Sequence, residues 1–358
     1  MEAPVESSYL KLLWDEEQVW VAHQPFLVAH GYQLRPRYRP DWTPSWPADG
    51  TPDFRFHEDG LENVKPSTLD AVRLSDGQKV VLKRVETNGN ELAMIRYLDS
   101  LRHDPRNRTV PVLEILTMED APWSFIVMQY ARIFIYPPFH CRQEFFEAMR
   151  QYFEGLEFMH EHNVVHFDIA IQNMTMEESL IVPRGSHFWD QRTHTGNYGW
   201  FRWRDRCSVT EPINYYYIDF GLSLYFPDGT ATAQHTALLR TFPDCPELSL
   251  TKPYNPFRVD VYQLGLAMRK AIKDYPDLQA FRPLADEMMK EDPESRPSPS
   301  EALASLHKIA ESIPPAEFRA RIWKRKTSIW KKLCRWIFGG YYRDYAFLED
   351  DFALYGKY

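Results

Sequence analysis

Cysteine is scarce in this chain of 358 residues, which carries four: Cys141, Cys207, Cys245 and Cys334. They lie far apart, and no C-x-x-C pair is present. This spacing argues against a zinc knuckle or a thioredoxin-type site. Scattered thiols in a chain of this length are typical of a reducing compartment rather than of secretion.

Long apolar runs and a basic leader are also lacking. No stretch of about 18 uncharged apolar residues is found, so we expect no transmembrane helix. The segment 1–10 carries Glu2 and Glu6 but no basic residue, which argues against a signal peptide. We therefore expect an intracellular protein, cytoplasmic or nuclear.

Positive charge is not in excess either. The net charge is −8, which argues against bulk attraction to nucleic acid. Hydrophobic residues make up 44% and charged residues 26%, the composition of a globular protein rather than of a disordered or fibrous one. The length predicts two compact units or one bilobal unit with extensions.

The pattern along the chain predicts four zones. Residues 1–60 begin with a helix over 8–24, which Pro25 should end or kink. A Pro- and Trp-rich extended strap follows, anchored on the neighbouring domain by Trp42 and Trp46.

Residues 61–131 are predicted to form strands around one helix. The segments 69–74 and 79–85 flank a Ser-Asp-Gly turn, the pattern of a hairpin. Helical spacing over 90–102 predicts a helix, and 123–130 predicts a buried strand.

Residues 132–312 are predicted to be mainly helical. Apolar residues recur with a period of about 3.6 over 142–162, and shorter helices are expected at 260–272 and 299–312. An insert covers about 177–212. Residues 313–358 form a basic and then aromatic tail.

Three motifs stand in a fixed order on these elements. Residues 80–83 read V-V-L-K on a predicted strand, 164–173 read V-V-H-F-D-I-A-I-Q-N after the long helix, and 216–221 read Y-Y-I-D-F-G. A strand lysine, H-x-D-x-x-x-x-N and D-F-G resemble the eukaryotic protein-kinase family. Later matches are C-P-E at 245–247, D-V-x-x-L-G at 260–265 and D-P-x-x-R-P at 292–297.

The chain is similar in particular to a fungal group of protein-kinase-like proteins. That likeness rests on the strap G-Y-x-L-R-P-R-Y-x-P at 31–40, the aromatic insert, Y-x-I-D-F-G-L-S at 216–223 and Y-N-P-F at 254–257. The resemblance implies an α+β fold of two lobes, with a small β-rich N-lobe and a larger helical C-lobe.

The resemblance implies ATP and Mg²⁺ as cofactors and assigns a role to each matched residue. Asp168 would orient the acceptor hydroxyl and accept its proton, and Lys83 would bind the α and β phosphates. Asn173 and Asp219 would offer oxygen ligands to Mg²⁺. Glu91 fits best as the carboxylate that holds Lys83, because its rival Glu86 follows Lys83 by three residues on a strand and faces away from it.

Further residues are implied by the same likeness. Gln129, Tyr130 and Ala131 stand where the nucleotide would be bound. Asp260 would brace the catalytic loop, and Glu247 would pair with Arg296. The residues with structural roles are His166, Phe220, Gly221, Glu247, Asp260 and Arg296.

The sequence departs from the family at three places. The G-x-G-x-x-G loop is missing, because residues 60–67 hold one glycine and Pro66, which has no N–H for a phosphate. Phe167 replaces the arginine that reads a phosphorylated activation segment. Ala170 replaces the lysine of Ser/Thr kinases, and Gln172 is not the arginine of Tyr kinases.

We therefore predict an atypical protein kinase that transfers the γ-phosphate to a hydroxyl of a protein substrate, with Ser/Thr preferred. Two alternatives stay open. The missing glycine loop and Ala170 favour a pseudokinase that serves as a binding scaffold. The H-x-D-x-x-x-x-N motif is shared with small-molecule phosphotransferases, although the Asp260 helix and the Arg296 motif favour a protein-kinase C-lobe.

The insert and the tail each allow two interpretations. Interleaved Arg and aromatic residues over 187–206 are typical of a nucleic-acid surface, but also of a hairpin-like insert packed on the large lobe, which we favour for an acidic protein. Residues 318–338 hold eight basic residues, no acid and apolar residues at helical spacing. Such a helix either lies on a membrane or docks on the C-lobe with its basic face in solvent, and we favour docking.

Overall fold

Helices and antiparallel strands are mixed along the chain, which confirms the α+β class. A computed structural model describes residues 13–46, 57–62, 67–119, 121–196 and 199–343. The chain divides into two compact units. The first takes Met1–Val85, Val112–Tyr130 and Ser186–Gly199, and the second takes Glu86–Pro111, Ala131–Gly185 and Trp200–Tyr358.

The described residues of the first unit form a helix, α1, and a five-stranded sheet. The strand order is β1-β2-β3-β5-β4. The elements are α1 (Asp15–Ala29), β1 (Tyr32–Leu34), β2 (Thr68–Arg73), β3 (Lys79–Glu86), β4 (Val112–Thr117) and β5 (Trp123–Gln129).

The hairpin of β2 and β3 confirms its prediction. Its strands are antiparallel, with Thr68 opposite Lys83 and Val72 opposite Lys79. Gly77 has φ +72°, a conformation that glycine adopts without steric cost. Its N–H donates to Arg73 O at 2.8 Å, which closes the turn.

Helix α1 differs from its prediction, because it begins at Asp15 and continues through Pro25 to Ala29. Residues 8–12 lie outside the described residues. The side chains of Trp20 and Leu27 are fully buried and belong to the same apolar cluster as strand residues such as Phe125. This burial on both sides of Pro25 offsets the helical hydrogen bond that proline cannot donate.

The strap is only partly extended. Its first residues form β1, which pairs antiparallel with β2, and a 3-10 turn follows at Pro36–Tyr38. Arg37 and Glu17 form a buried ion pair with Nη2 to Oε2 at 2.8 Å, which fastens this turn to α1. Trp42 Nε1 donates to Asp59 Oδ2 at 3.0 Å. The Trp46 ring lies 5.9 Å from the Trp42 ring. Trp46 therefore contacts the strap itself, and Trp42 contacts both Trp46 and the segment at Asp59.

The second unit is mainly helical. Its helices are α2 (Asn90–Ser100), α3 (Arg142–Glu161), α4 (Pro256–Ile272), α5 (Arg282–Met288), α6 (Pro299–Ser312), α7 (Pro315–Arg319) and α8 (Ile329–Phe338). Asn255 and Ser298 accept hydrogen bonds from the first turns of α4 and α6, the usual start of a helix. The predicted helices at 90–102, 142–162, 260–272 and 299–312 are thereby confirmed to within a few residues.

Short strands complete the second unit. They are β6 (Ala131–Ile133), β7 (Val164–Val165), β8 (Met174–Glu177), β9 (Gly199–Arg202), β10 (Tyr215–Tyr217), β11 (Leu224–Tyr225), β12 (His235–Ala237), β13 (Ser249–Tyr254) and β14 (Gly340–Arg343). They associate in the order β10-β8-β6 and in the pairs β11-β7, β12-β13 and β14-β9.

Within its described residues, the insert pairs its strand with a distant segment and not with itself, contrary to the predicted hairpin-like arrangement. Strand β9 pairs with β14, which lies more than 130 residues later and beyond the insert. Phe201 and Trp203 are buried in the second unit, as expected, but Phe188 contacts Tyr130 in the first unit. Arg206 is buried and paired with Glu144 at 3.2 Å, so it does not serve a nucleic-acid surface.

The predicted single helix over 318–338 is wrong. Helix α7 ends at Arg319, and residues 320–328 form an irregular segment before α8. Ile322 is buried and its N–H donates to His140 O at 2.8 Å, while Arg325 N donates to Asp274 O at 2.8 Å. These bonds to other segments replace the bonds that a helix would make, so the first half of the tail is docked on the second unit.

No helix in the described part of the chain combines the length and the apolar character that a bilayer crossing requires.

Candidate functional site

The loop that follows β7 is held by a buried carboxylate. Asp260 on α4 is fully buried. Its Oδ2 accepts a hydrogen bond from His166 N at 2.8 Å, and its Oδ1 accepts one from Phe167 N at 2.7 Å. The expected bracing of this loop by Asp260 is confirmed.

A second brace comes from the next turn of α4. Gln263 Oε1 accepts from Ile169 N at 2.9 Å, and Gln263 Nε2 donates to Phe167 O at 3.1 Å. The sequence analysis missed this residue. The signal was present, because Gln263 follows Asp260 by three residues and therefore shares its helix face.

His166 has a structural role, as predicted. Its ring accepts a hydrogen bond from Asp168 N at Nδ1 and donates one to Ile218 O from Nε2, each at 3.2 Å. Both ring nitrogens are therefore engaged in hydrogen bonds. The ring also lies 4.9 Å from the Phe220 ring.

Asp168 presents one carboxylate oxygen that the described residues do not satisfy. Asn173 Nδ2 donates to its Oδ2 at 2.8 Å and to its backbone oxygen at 3.0 Å. Its Oδ1 is buried and has no hydrogen-bond partner within the described part of the chain. Burial raises the pKa of Asp168, and the nearby charges of Asp219 and Asp260 act in the same direction.

Asp219 lies close to this carboxylate and to Glu91. Its backbone has φ +67°, which an aspartate adopts at a cost of about 1–3 kcal/mol. Gly221 N donates to Asp219 Oδ1 at 3.4 Å. A Cβ atom at Gly221 would lie 3.4 Å from Asp219 Oδ1 and 3.5 Å from Glu91 Oε2. Both carboxylates therefore approach the same turn.

This donor set fits a hard divalent cation. Asp219 supplies carboxylate oxygens and Asn173 supplies an amide oxygen, with the Asp168 carboxylate beside them. Mg²⁺ prefers such oxygen ligands. A cation held there would relieve the repulsion between the neighbouring carboxylates of Asp168 and Asp219. The fit rests on Asp168, Asn173 and Asp219, all in the second unit.

The other residues of the predicted nucleotide site lie mostly in the first unit. Lys83 is in the middle of β3, opposite Thr68. Gln129 ends β5, and Tyr130 follows with its hydroxyl 2.9 Å from Ser186 Oγ. Ala131 begins β6 of the second unit. These positions do not test nucleotide binding, which stays a prediction.

The surroundings predicted for Lys83 include Glu86 and the tight turn from β3 to α2. Glu86, the last residue of β3, is exposed. The turn to α2 is tight, as expected, because Gly89 N donates to Glu86 O at 3.0 Å and α2 begins at Asn90. Of the segment predicted to lack the glycine loop, residues 63–66 lie outside the described residues.

The predicted ion pair of Glu247 and Arg296 is present. The two side chains form a bidentate pair, with Nη2 to Oε2 at 2.9 Å, and the Arg296 side chain is fully buried. Arg296 also donates to the backbone oxygens of Lys290 and Arg258. The pair thus joins three segments of the helical unit and has a structural role.

Phe167 occupies an apolar cluster instead of facing a phosphate. It is buried with Leu239, Phe242, Tyr254 and Phe257, which come from the segment after D-F-G and from α4. Its ring lies 5.4 Å from the His235 ring. Apolar packing thus holds residues 233–257 against the loop without a phosphorylated side chain.

A separate group, Cys141, Glu144 and Cys207, brings possible metal ligands within 4.8 Å of one another. Glu144 is already engaged, because its oxygens accept from Cys207 N, His140 N and the Arg206 guanidinium. A cation would have to displace the buried Arg206, so this cluster is better described as an ion pair beside two thiols.

No protein-family model matches the chain.

Proposed function

We propose that the protein is an ATP- and Mg²⁺-dependent protein kinase with a bilobal kinase-like fold, which transfers the γ-phosphate to a protein hydroxyl, with Ser/Thr preferred. The observation that supports this most is the buried, unpartnered Oδ1 of Asp168 beside Asn173 and Asp219. A purely structural carboxylate would be satisfied inside the protein, as Asp260 is.

In this proposal Asp168 is the general base. Asn173 holds Oδ2, so that Oδ1 is directed to the acceptor hydroxyl. Oδ1 accepts the hydroxyl proton while the hydroxyl oxygen bonds to the γ-phosphorus and the bond from that phosphorus to the β-phosphate oxygen breaks. A raised pKa makes Asp168 a stronger base than an exposed aspartate, and a positioned base contributes about 10²–10⁴-fold.

Asp219 and the amide oxygen of Asn173 would hold Mg²⁺, which neutralises charge on the phosphates when bound. The resemblance assigns Lys83 to the α and β phosphates and Glu91 to holding Lys83. Asp260 and Gln263 are positioning residues, since they bind the backbone of the loop and not the reactants.

The test is transfer of ³²P from γ-labelled ATP to a panel of generic proteins with Mg²⁺. We expect Asp168→Asn to lower the rate by about 10²-fold or more, and Asp219→Asn to abolish both transfer and Mg²⁺-dependent nucleotide binding. Asp286→Asn, which changes an exposed carboxylate on α5, is the matched control and should retain the wild-type rate.

Equal transfer by wild type and both site variants would refute the proposal. Mg-ATP binding without transfer in the wild type would favour the scaffold alternative, in which the altered glycine loop and Ala170 have ended catalysis. Transfer to small hydroxyl compounds but to no protein would favour the small-molecule phosphotransferase.

A further inference from the structure

Helix α8 directs its large apolar side chains into solvent. Ile329, Trp330 and Trp336 are 84%, 67% and 78% exposed, and Leu333 and Ile337 are exposed as well. Four of these residues stand at positions i, i+4, i+7 and i+8, so they line one face of the helix. We call this set, with Trp330, the apolar face of α8.

The opposite face of α8 is bound to the protein through the guanidinium group of Arg335. Arg335 is buried, donates to Trp203 O at 3.0 Å, pairs with Asp205 and lies 4.3 Å from the Trp203 ring centroid. Its neighbour Cys334 is also buried. A surface helix of a water-soluble domain normally turns its apolar face inward. Helix α8 has the reverse orientation, and the Arg335 contacts hold it there.

Basic residues are concentrated beside the apolar face. The segment 318–338 contains eight basic residues and no acidic one, although the whole chain has a net charge of −8. Arg319, Arg321, Arg325 and Lys326, which precede α8, are exposed. The positive charge is therefore a local feature that adjoins the apolar face.

We propose that α8 binds an anionic membrane surface, with its apolar face in the boundary between headgroups and acyl chains and the neighbouring basic residues against lipid phosphates. Tryptophan and aliphatic side chains beside Lys and Arg are the composition of interfacial helices. A second copy of the chain is a poorer occupant, because pairing two such faces would bring the exposed basic residues of both copies together. The inference stands apart from the proposed phosphate transfer.

The apolar contribution is tested on the full chain with vesicles of phosphatidylcholine containing about one third phosphatidylserine. We expect the wild type to sediment with these vesicles and its tryptophan emission to shift to shorter wavelength. The double variant Trp330→Ser/Trp336→Ser should lower the apparent affinity by about tenfold or more. Leu238→Ser/Leu250→Ser, which changes side chains 58% and 67% exposed elsewhere in the same unit, is the matched control and should bind like the wild type.

The electrostatic contribution is tested by charge reversal. Arg325→Glu/Lys326→Glu should weaken binding to the anionic vesicles, and added salt should weaken binding of the wild type. Lys252→Glu/Lys270→Glu reverses two exposed basic residues away from α8 and should have a smaller effect. Circular dichroism of every variant verifies that the fold is kept.

Three results would overturn the proposal. The first is a full chain that does not sediment with the anionic vesicles. The second is equal vesicle binding by the wild type and Trp330→Ser/Trp336→Ser. The third is a dimer in sedimentation equilibrium that this variant abolishes while vesicle binding is absent, since a second copy would then cover the apolar face.

Discussion

The loop of residues 166–173 and helix α8 belong to the same compact unit, but they are held in place by different contacts. Backbone N–H groups of the loop are bound by two side chains of α4, Asp260 and Gln263. Helix α8 is held mainly through Arg335 on its inner face. In each region these side chains bind the segment to the rest of the unit. Each region also holds an uncompensated group, by which we mean a polar atom or apolar surface that the described residues leave unsatisfied.

The uncompensated groups have opposite character. At the loop it is a carboxylate oxygen, Asp168 Oδ1, whereas at α8 it is a set of aliphatic and indole side chains. Folding alone favours neither, because an unpartnered buried oxygen and an exposed apolar face both cost free energy. The chemistry of what is left unsatisfied therefore motivates the two proposals: a hydroxyl donor for the oxygen of Asp168, and an apolar phase with anionic headgroups for α8.

The largest effect is expected when the anchor of the loop is removed. Asp260→Ala leaves the N–H groups of His166 and Phe167 buried without acceptors, at about 1–3 kcal/mol each. We expect the free energy of unfolding in urea to fall by about 2–6 kcal/mol. Asp286→Ala, at an exposed ion pair, should change it by less than about 1 kcal/mol. Comparable losses in the two variants would show that α4 does not anchor the loop.

A smaller change in the free energy of unfolding is expected when Asp168 is replaced, and it should be a gain where Asp260→Ala gives a loss. Because burial and the neighbouring carboxylates raise its pKa, its charged form opposes folding, and Asp168→Asn should stabilise the protein at neutral pH by about 1 kcal/mol. The folded protein retains this proton to a higher pH than the unfolded chain does. Stability from protonated Asp168 is thus present in acid and is lost as the pH rises through the raised pKa.

The pH dependence separates this prediction from a simple packing change. The stability advantage of Asp168→Asn over the wild type should grow as the pH rises from about 4, the ordinary aspartate pKa, towards neutrality. Urea unfolding of both proteins across this range measures it, and saturating Mg²⁺ should narrow the difference by stabilising the wild type. An advantage that is constant or that shrinks with rising pH would contradict the assignment.

Much of the loop could be predicted from the sequence because its signals are local. The D-V-x-x-L-G helix places Asp260 and Gln263 on one face, and the apolar period of α3 ends directly before the loop. The Glu247–Arg296 pair was predicted from two short motifs. In each case a short local motif carries the family resemblance, and the resemblance implied the long-range contact.

Features that depend on distant segments were predicted poorly. Helix α1 continues past Pro25 because Trp20 and Leu27 are buried in a core built with strand residues far along the chain. The helical period over 318–338 was interrupted because Ile322 and Arg325 donate to His140 O and Asp274 O. The pairing of β9 with β14 has no local signal at all. Local periodicity describes which residues share a face, but not which acceptor competes for a given N–H.

The smallest effect on the free energy of unfolding is expected at α8, where we predict almost no change when the exposed tryptophans are replaced. Trp330→Ser/Trp336→Ser removes two indoles that bury little surface in the folded protein, so the free energy of unfolding should change by less than about 0.5 kcal/mol. Arg335→Ala, on the inner face, should cost more, since it removes the donor to Trp203 O and the guanidinium that pairs with Asp205. Thermal unfolding of both variants without lipid measures this contrast. A large loss from the tryptophan variant would mean that the apolar face stabilises the fold itself, and the reason for assigning it to a membrane would disappear.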